Sequence, residues 1–197
     1  MSAPIPDDLQ DEIVSHLRFA IAAGFDPLEE VVAAAITLFG DEADPGALER
    51  YMRPMARELL AAHLTAQMAW PDVTDCDRLD AAFAALETVG IVCRQNFSCC
   101  GSCGSIEIWD EAAVLESAGR VVRGYAFYHI QDTESAVAGH GLYLNYGAAD
   151  TGEAAALAIG YEIVAALQKQ GLRVDWEGKA SRRIGVELEW KRRRGPS

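Results

Sequence analysis

The sequence lacks a long apolar run. Its most apolar stretch, from Val31 to Phe39, is far shorter than the roughly 20 residues that a membrane-spanning helix needs. The chain also lacks the basic start of a secretory signal peptide, since its N-terminal segment carries acids at Asp7, Asp8, Asp11 and Glu12. These absences predict a cytoplasmic protein with no membrane partner.

Positive charge is scarce. The 197 residues include 17 Lys and Arg against 30 Asp and Glu, which gives a net charge of −13. A field of that sign repels polyanions, so the composition argues against a nucleic-acid partner. Basic residues are concentrated near the C-terminus, at Lys179, Arg182, Arg183, Lys191, Arg192, Arg193 and Arg194. Those beyond Trp190 are expected to form a loosely held, dispensable tail, because terminal residues outside an apolar pattern are usually poorly ordered.

The common nucleotide-binding and catalytic motifs are missing as well. The chain contains no G-x-x-x-x-G-K-[ST] loop, no G-x-S-x-G elbow, no H-E-x-x-H helix and no G-x-G-x-x-G fingerprint. This excludes nucleotide binding through a familiar loop. The chemistry that is left lies in a cysteine cluster and in one polar segment.

Hydrophobic periodicity predicts a helical first half. Apolar residues recur at helical spacing in four segments that begin near Asp7, Asp26, Asp44 and Thr74, and glycines follow three of them at Gly24, Gly40 and Gly90. Asp26, Asp44 and Thr74 are expected to cap their helices. Pro54 is expected to kink or split the third helix, because it has no N–H to donate.

The pattern changes after residue 90 and predicts a β-rich second half. Strand-like alternation occurs near residues 91–99, 120–130, 142–146, 172–176 and 184–190, with a short helix at 110–118 and a long one after Asp150. We therefore predict an α+β fold. Residues 1–90 would form a helical unit, and residues 91–197 an α+β unit with a mostly antiparallel or mixed sheet under one long helix.

The segment Cys100-Gly-Ser-Cys103-Gly resembles half of a zinc site. Two thiolates two residues apart can grip one ion, and glycines let backbone N–H groups turn toward the sulfurs. A second C-x-x-C pair is missing, so Cys93 or Cys99 together with His129 or His140 would have to close the site. The candidate metal ligands are therefore Cys93, Cys99, Cys100 and Cys103, with zinc as the candidate cofactor.

Two other interpretations of the cysteines remain open. Cys93 and Cys99 share a strand parity with Ile91 and Phe97, so they can be plain buried thiols. Thiols two residues apart can also cycle through a disulfide, although no strand-to-helix context of the thioredoxin kind is obvious in the sequence around them.

The polar segment at the end of the second predicted strand offers catalytic candidates in His129, Asp132 and Glu134. Imidazole and carboxylate groups at the end of a strand can act as acid, base or metal ligand. The alternative is structural: Asp132 caps a short helix at residues 133–138 while His129 fills an aromatic strand face.

Four segments carry a resemblance to a known family. They are residues 77–83 (DRLDAAF), 94–100 (RQNFSCC), 131–134 (QDTE) and 141–144 (GLYL). Through them the chain resembles a bacterial family defined as a domain of unknown function, from about Asp72 to Arg193 and more weakly over the first three helices. The resemblance implies a shared fold with CC-x-x-C-G and Q-D-T-E segments as hallmarks, and it implies no activity.

Three functional hypotheses follow from these features. The first is a protein with a structural zinc-binding cysteine turn. The second is an enzyme with a site around His129, Asp132 and Glu134. The third is a protein–protein interaction module that presents its sheet or its basic C-terminus to a protein partner.

Overall fold

A computed structural model of the chain describes residues 5–195. Within that range the chain forms seven helices and five strands, which confirms the predicted α+β class. In chain order they are α1 (Asp7–Ala23), α2 (Leu28–Leu38), α3 (Pro45–Gln67), α4 (Asp75–Thr88), β1 (Ile91–Arg94), α5 (Gly101–Ser117), β2 (Gly124–Phe127), α6 (Ile130–Val137), β3 (Leu142–Ala148), α7 (Glu153–Lys169), β4 (Arg173–Asp175) and β5 (Ile184–Glu187).

The chain divides into two compact units. One holds residues 5–72 and 191–195 of the described chain, and the other is Val73–Trp190. The sequence pattern had placed the division after residue 90. The difference arises from α4, which packs against β1 and α7 and so belongs with the sheet. The change from helical to strand periodicity marks where helices give way to strands, which is not where one unit ends. α4 belongs to the second unit because it buries its apolar face on the elements that follow it.

The first unit is a three-helix core in which α3 packs against both α1 and α2. Its fully buried side chains include Ile13, Leu17, Leu48 and Met52. Asp44 caps α3 as predicted, since its carboxylate accepts from the Ala47 N–H at 2.9 Å. The helix continues through Pro54, so the predicted split does not occur.

The C-terminal segment is held in this first unit by Arg194. Its guanidinium donates to the backbone carbonyls of Ile21 at 3.0 Å and Ala20 at 3.5 Å, and also to that of Asp26. The Arg194 backbone exchanges two hydrogen bonds with the Gln67 amide, at 2.8 and 3.0 Å. Carbonyls at a helix C-terminus lack helical partners and favour a cation. The expectation of a loosely held tail is therefore wrong up to residue 195.

The second unit is built on a mixed sheet with strand order β1-β2-β3-β5-β4. β1 and β2 are parallel and the other neighbours are antiparallel, as the sequence predicted for a mixed sheet. A parallel pair needs a crossover connection, and α5 lies in the connection between β1 and β2. α7 packs against β3, β2, β4 and α4.

Helix α5 begins nine residues earlier than the helix predicted at 110–118. Its buried positions, Gly104, Ile108 and Ala112, are spaced by four residues, which is a helical face with a glycine in place of an apolar side chain. That glycine allows close packing on β2, because a Cβ atom at Gly104 would lie 2.5 Å from the Phe127 ring. The cysteine turn is thereby fixed at the start of a helix and not within a strand.

No helix between residues 5 and 195 combines the length and the apolarity needed to cross a bilayer.

Replacing Arg194 with alanine should lower the free energy of unfolding of the full chain by about 1–3 kcal/mol, because charge-assisted hydrogen bonds to the carbonyls of Ala20, Ile21 and Asp26 are lost. Urea unfolding followed by circular dichroism measures the change. Arg18→Ala, at an exposed position of α1, is the matched control and should stay within about 0.5 kcal/mol of the parent. Equal effects of the two substitutions would contradict the docking of the C-terminal segment.

Candidate metal centre

Three cysteines converge where α5 begins. The sulfurs of Cys99, Cys100 and Cys103 all lie within 4.8 Å of one another. Cys100 is the N-cap residue of α5 with an extended backbone, and Cys103 is the third residue of the helix. Residues three apart on a helix lie on the same face, so the first turn of α5 brings this pair of sulfurs together. Cys99 is exposed, and the other two are half-buried.

The helix terminus favours negative charge on the Cys100 sulfur. Cys100 does not make a standard capping hydrogen bond. The backbone N–H of Cys103 nevertheless interacts with its sulfur and lowers the pKa of the Cys100 thiol, and the Cys103 thiol and the Ser102 N–H act in the same direction. The nearby sulfurs of Cys99 and Cys100 raise the pKa of Cys103 to about 11. Three thiolates side by side repel one another, so full deprotonation of the cluster needs a bound cation.

The loop that precedes the cysteines has an uncommon backbone. Asn96 and Ser98 adopt positive φ angles of 50° and 61°. Asparagine tolerates this region, whereas serine adopts it less readily. Two backbone hydrogen bonds hold the loop against the chain from the end of β2 to the start of α6. The Phe97 N–H donates to the Tyr128 carbonyl at 2.8 Å, and the Ile130 N–H donates to the Ser98 carbonyl at 3.2 Å. Such a conformation persists only where its surroundings fix it.

Side chains of the polar segment fix the same loop. The hydroxyl of Thr133, which is 0% exposed, donates to the Asn96 side-chain oxygen at 2.8 Å. The Tyr128 hydroxyl donates to the Gln95 side-chain oxygen at 2.6 Å. The polar segment and the cysteine turn, which are separate in the sequence, are thus joined in the structure.

His129 and Asp132 form a capping box for α6. His129 is the N-cap residue, and its Nδ1 accepts from the Asp132 N–H at 3.3 Å. The Asp132 carboxylate in turn accepts from the His129 N–H at 3.1 Å. The prediction that Asp132 caps a helix at 133–138 is therefore wrong: it lies at the third helical position and completes the box from inside. The sequence rule missed this arrangement because histidine is not among the usual capping residues.

The Asp132 carboxylate is buried, with 4% of the residue exposed. A charge in such a place needs partners. Asp132 Oδ2 lies 2.5 Å from Arg183 Nη2 and 3.1 Å from His129 Nε2. Arg183 also donates to the Tyr143 carbonyl, which ties the β5 end of the sheet to α6.

The His129 imidazole is engaged at both nitrogens, since Nδ1 accepts from backbone and Nε2 faces the carboxylate. Burial lowers the pKa of His129, and Asp132 opposes that effect while Arg183 adds to it. The neutral imidazole is therefore favoured. A neutral ring with Nδ1 as acceptor carries its proton on Nε2, so it offers no lone pair to a metal.

The other predicted site residues are not members of the cysteine group. Cys93 is a buried residue of β1 whose sulfur donates to the Ile91 carbonyl, and burial raises the pKa of its thiol. Glu134 is exposed. His140 lines an open depression of about 960 Å³, and His129, Asp132 and Glu134 do not line it. Of the four predicted metal ligands, the structure brings together Cys99, Cys100 and Cys103.

Sequence reasoning missed Asn145, a residue of β3. A Cβ atom on Gly101 would lie 3.5 Å from Asn145 Oδ1 and 3.6 Å from His129 Cδ2, so these side chains border the first residue of α5. Asn145 Nδ2 is buried and has no hydrogen-bond partner among residues 5–195. The one feature of the sequence that could have indicated Asn145 is its amide side chain within a predicted strand of apolar and aromatic residues.

Comparisons with known proteins give a family and no activity. No curated protein and no solved structure matches the chain. The model of one family, described as a domain of unknown function, DUF6891, matches residues 6–194. That match includes the cysteine turn and the polar segment as well as the first three helices, and it confirms the resemblance to a domain-of-unknown-function family. The chain belongs to the DUF6891 family.

Proposed function

We propose that this protein binds a zinc ion through Cys99, Cys100 and Cys103. The observation that carries the proposal is the convergence of the three sulfurs within 4.8 Å. In a tetrahedral zinc site each Zn–S distance is about 2.3 Å, so the sulfurs are about 3.8 Å apart. The sulfurs would need to approach one another by at most about 1 Å, which rotation of exposed or half-buried cysteine side chains supplies.

The surroundings of the cluster support this assignment. The N-terminus of α5 directs backbone N–H groups toward the Cys100 sulfur and favours its thiolate form. Zinc removes the charge repulsion among three thiolates, and its binding releases the protons that they hold. Soft thiolate ligands select zinc over magnesium or calcium.

The proposed site has three protein ligands and leaves the fourth position to an exchangeable ligand. The sequence had suggested that Cys93, His129 or His140 would complete the coordination. The buried position of Cys93 in β1 and the engagement of both His129 nitrogens weigh against closure by either residue. A zinc site open at one position differs from a closed structural knuckle, and the ion it holds can exchange or bind a further ligand.

The enzyme hypothesis has less support. His129 and Asp132 do converge, but both are buried and their polar atoms are used in the α6 cap and in the ion pair with Arg183. An acid–base site needs groups that reach a substrate. We therefore assign His129, Asp132 and Arg183 a positioning role beside the cysteine turn.

Zinc content tests the proposal directly. Protein purified without chelator should contain about one zinc per chain, and separate Cys99→Ser, Cys100→Ser and Cys103→Ser variants should each bind zinc at least about tenfold more weakly, because each removes one thiolate ligand. Elemental analysis and titration against a chromophoric chelator measure both quantities. Ser102→Ala, within the same turn, is the control and should bind as the parent does. Unchanged zinc content in the triple cysteine variant would rule out this site.

The positioning role of α6 makes a second prediction. Thr133→Val keeps the volume of the side chain but removes the hydroxyl that binds Asn96, so the cysteine loop loses a constraint. The variant should weaken zinc binding about tenfold, as loss of an outer-shell partner typically does, without changing the stoichiometry at saturating zinc.

Two further substitutions separate this effect from general instability. Thr133→Ser retains the hydroxyl and should restore most of the affinity, and Thr151→Val, at an exposed site before α7, should have no effect. Equal zinc affinity in Thr133→Val and the parent would show that the loop is positioned without Thr133.

A further inference from the structure

We propose that Cys100 and Cys103 form a reversible disulfide when the metal-free protein reacts with a peroxide. This inference goes beyond zinc binding and does not require it. It concerns a second chemical state of the cysteine turn, in which two of the sulfurs are joined to each other. The sequence alone showed the spacing of the two cysteines but not the helix that places them.

The position of Cys100 and Cys103 at the start of α5 favours a redox pair. Two thiols with two residues between them form a redox pair most readily where the first thiol lies at a helix N-terminus. The structure supplies this context, since Cys100 is the N-cap of α5 and Cys103 lies in its first turn. Cys99, Cys100 and Cys103 are exposed or half-buried and can be reached by a small oxidant, whereas Cys76 and Cys93 are buried.

The distance between Cys100 and Cys103 also permits a disulfide. A disulfide requires Cα atoms between about 4.4 and 6.8 Å apart. Residues three apart in an α-helix have Cα atoms about 5 Å apart, so Cys100 and Cys103 fall within that window. Their sulfurs already lie within 4.8 Å of each other. Rotation of the two side chains is enough to join them.

The same distances disfavour bonds to Cys99. The described residues contain no cis peptide bond, so the Cα atoms of Cys99 and Cys100 are about 3.8 Å apart, which is too close for an unstrained disulfide. Residues four apart in a helix have Cα atoms about 6 Å apart. Cys100 is instead extended, with φ −155° and ψ 170°, so Cys99 leaves the path of the helix. The Cα atoms of Cys99 and Cys103 are therefore farther apart than this helical distance.

The reaction consumes one peroxide and transfers two electrons. The Cys100 thiolate attacks one oxygen of hydrogen peroxide, the O–O bond breaks, and a sulfenic acid forms as hydroxide leaves and is protonated to water. The Cys103 thiolate then attacks the Cys100 sulfur, the S–O bond breaks, and a second hydroxide leaves and is protonated. Two thiols and one hydrogen peroxide thus give one disulfide and two waters. A dithiol reductant reverses the change by thiol–disulfide exchange.

The test uses the full chain freed of metal by a chelator. After treatment with hydrogen peroxide and alkylation of the remaining thiols, peptide mass mapping should show a Cys100–Cys103 crosslink with Cys99 alkylated. Dithiothreitol should restore all the thiols. Cys99→Ser should retain the crosslink, whereas Cys103→Ser should form none and should accumulate a Cys100 sulfenic acid that dimedone traps.

Two results would overturn the inference: full alkylation of all three cysteines after peroxide, or a crosslink that contains Cys99 and is lost in Cys99→Ser. A separate arm keeps this inference apart from the zinc proposal. One equivalent of zinc added before peroxide should slow the crosslinking at least tenfold, because coordinated sulfurs must leave the ion to react. An unchanged rate would contradict zinc binding at these sulfurs, while the crosslink in metal-free protein would still stand.

Discussion

The hydrogen bonds between the start of α6 and the loop at residues 95–100 are the constraint on which the candidate site depends. Thr133 binds the Asn96 side chain, and the Ile130 N–H binds the Ser98 carbonyl. They hold two residues at positive φ and so determine where the chain enters α5. Because Cys99 and Cys100 follow directly, the same bonds set the positions of their sulfurs. This explains how the cysteine turn and the Q-D-T-E segment, which are separate in the sequence, form one structural unit.

The buried Asp132 stabilises that unit from the other side. It closes the cap of α6 through the His129 N–H and pairs with Arg183, which also binds the Tyr143 carbonyl. Removing any one partner would leave a buried charge or a buried donor unsatisfied, which costs more than the bond itself contributes. The polar residues that resemble a catalytic group in the sequence are thus engaged in structural contacts, and they border the loop that carries the cysteines.

Local rules predicted much of the fold because the signals were local. The bounds of α1 follow from apolar spacing and Gly24, and the caps at Asp44 and Thr74 are made by the side chains that the sequence indicates. The early start of α5 was missed, since glycine occupies a buried helical position at Gly104 and hides the period. Its reason lies in the close approach of Phe127, which is distant in sequence. The docking of Arg194 on carbonyls of α1 is likewise a long-range contact that periodicity does not encode.

The residues of the candidate site were likewise predicted where their spacing is local and missed where long-range contacts place them. Cys100 and Cys103 were found from their spacing, because a short spacing within a helical turn fixes geometry. The exclusion of Cys93, the capping role of His129 and the nearby Asn145 depend on how β1, α6 and β3 meet, and no spacing rule supplies that.

X-ray absorption at the zinc edge tests the central claim most directly, because it counts the sulfur atoms around the ion. We predict three sulfurs at about 2.3 Å and one nitrogen or oxygen at about 2.0–2.2 Å. Four sulfurs, or a shell of nitrogen and oxygen alone, would contradict a site made by Cys99, Cys100 and Cys103.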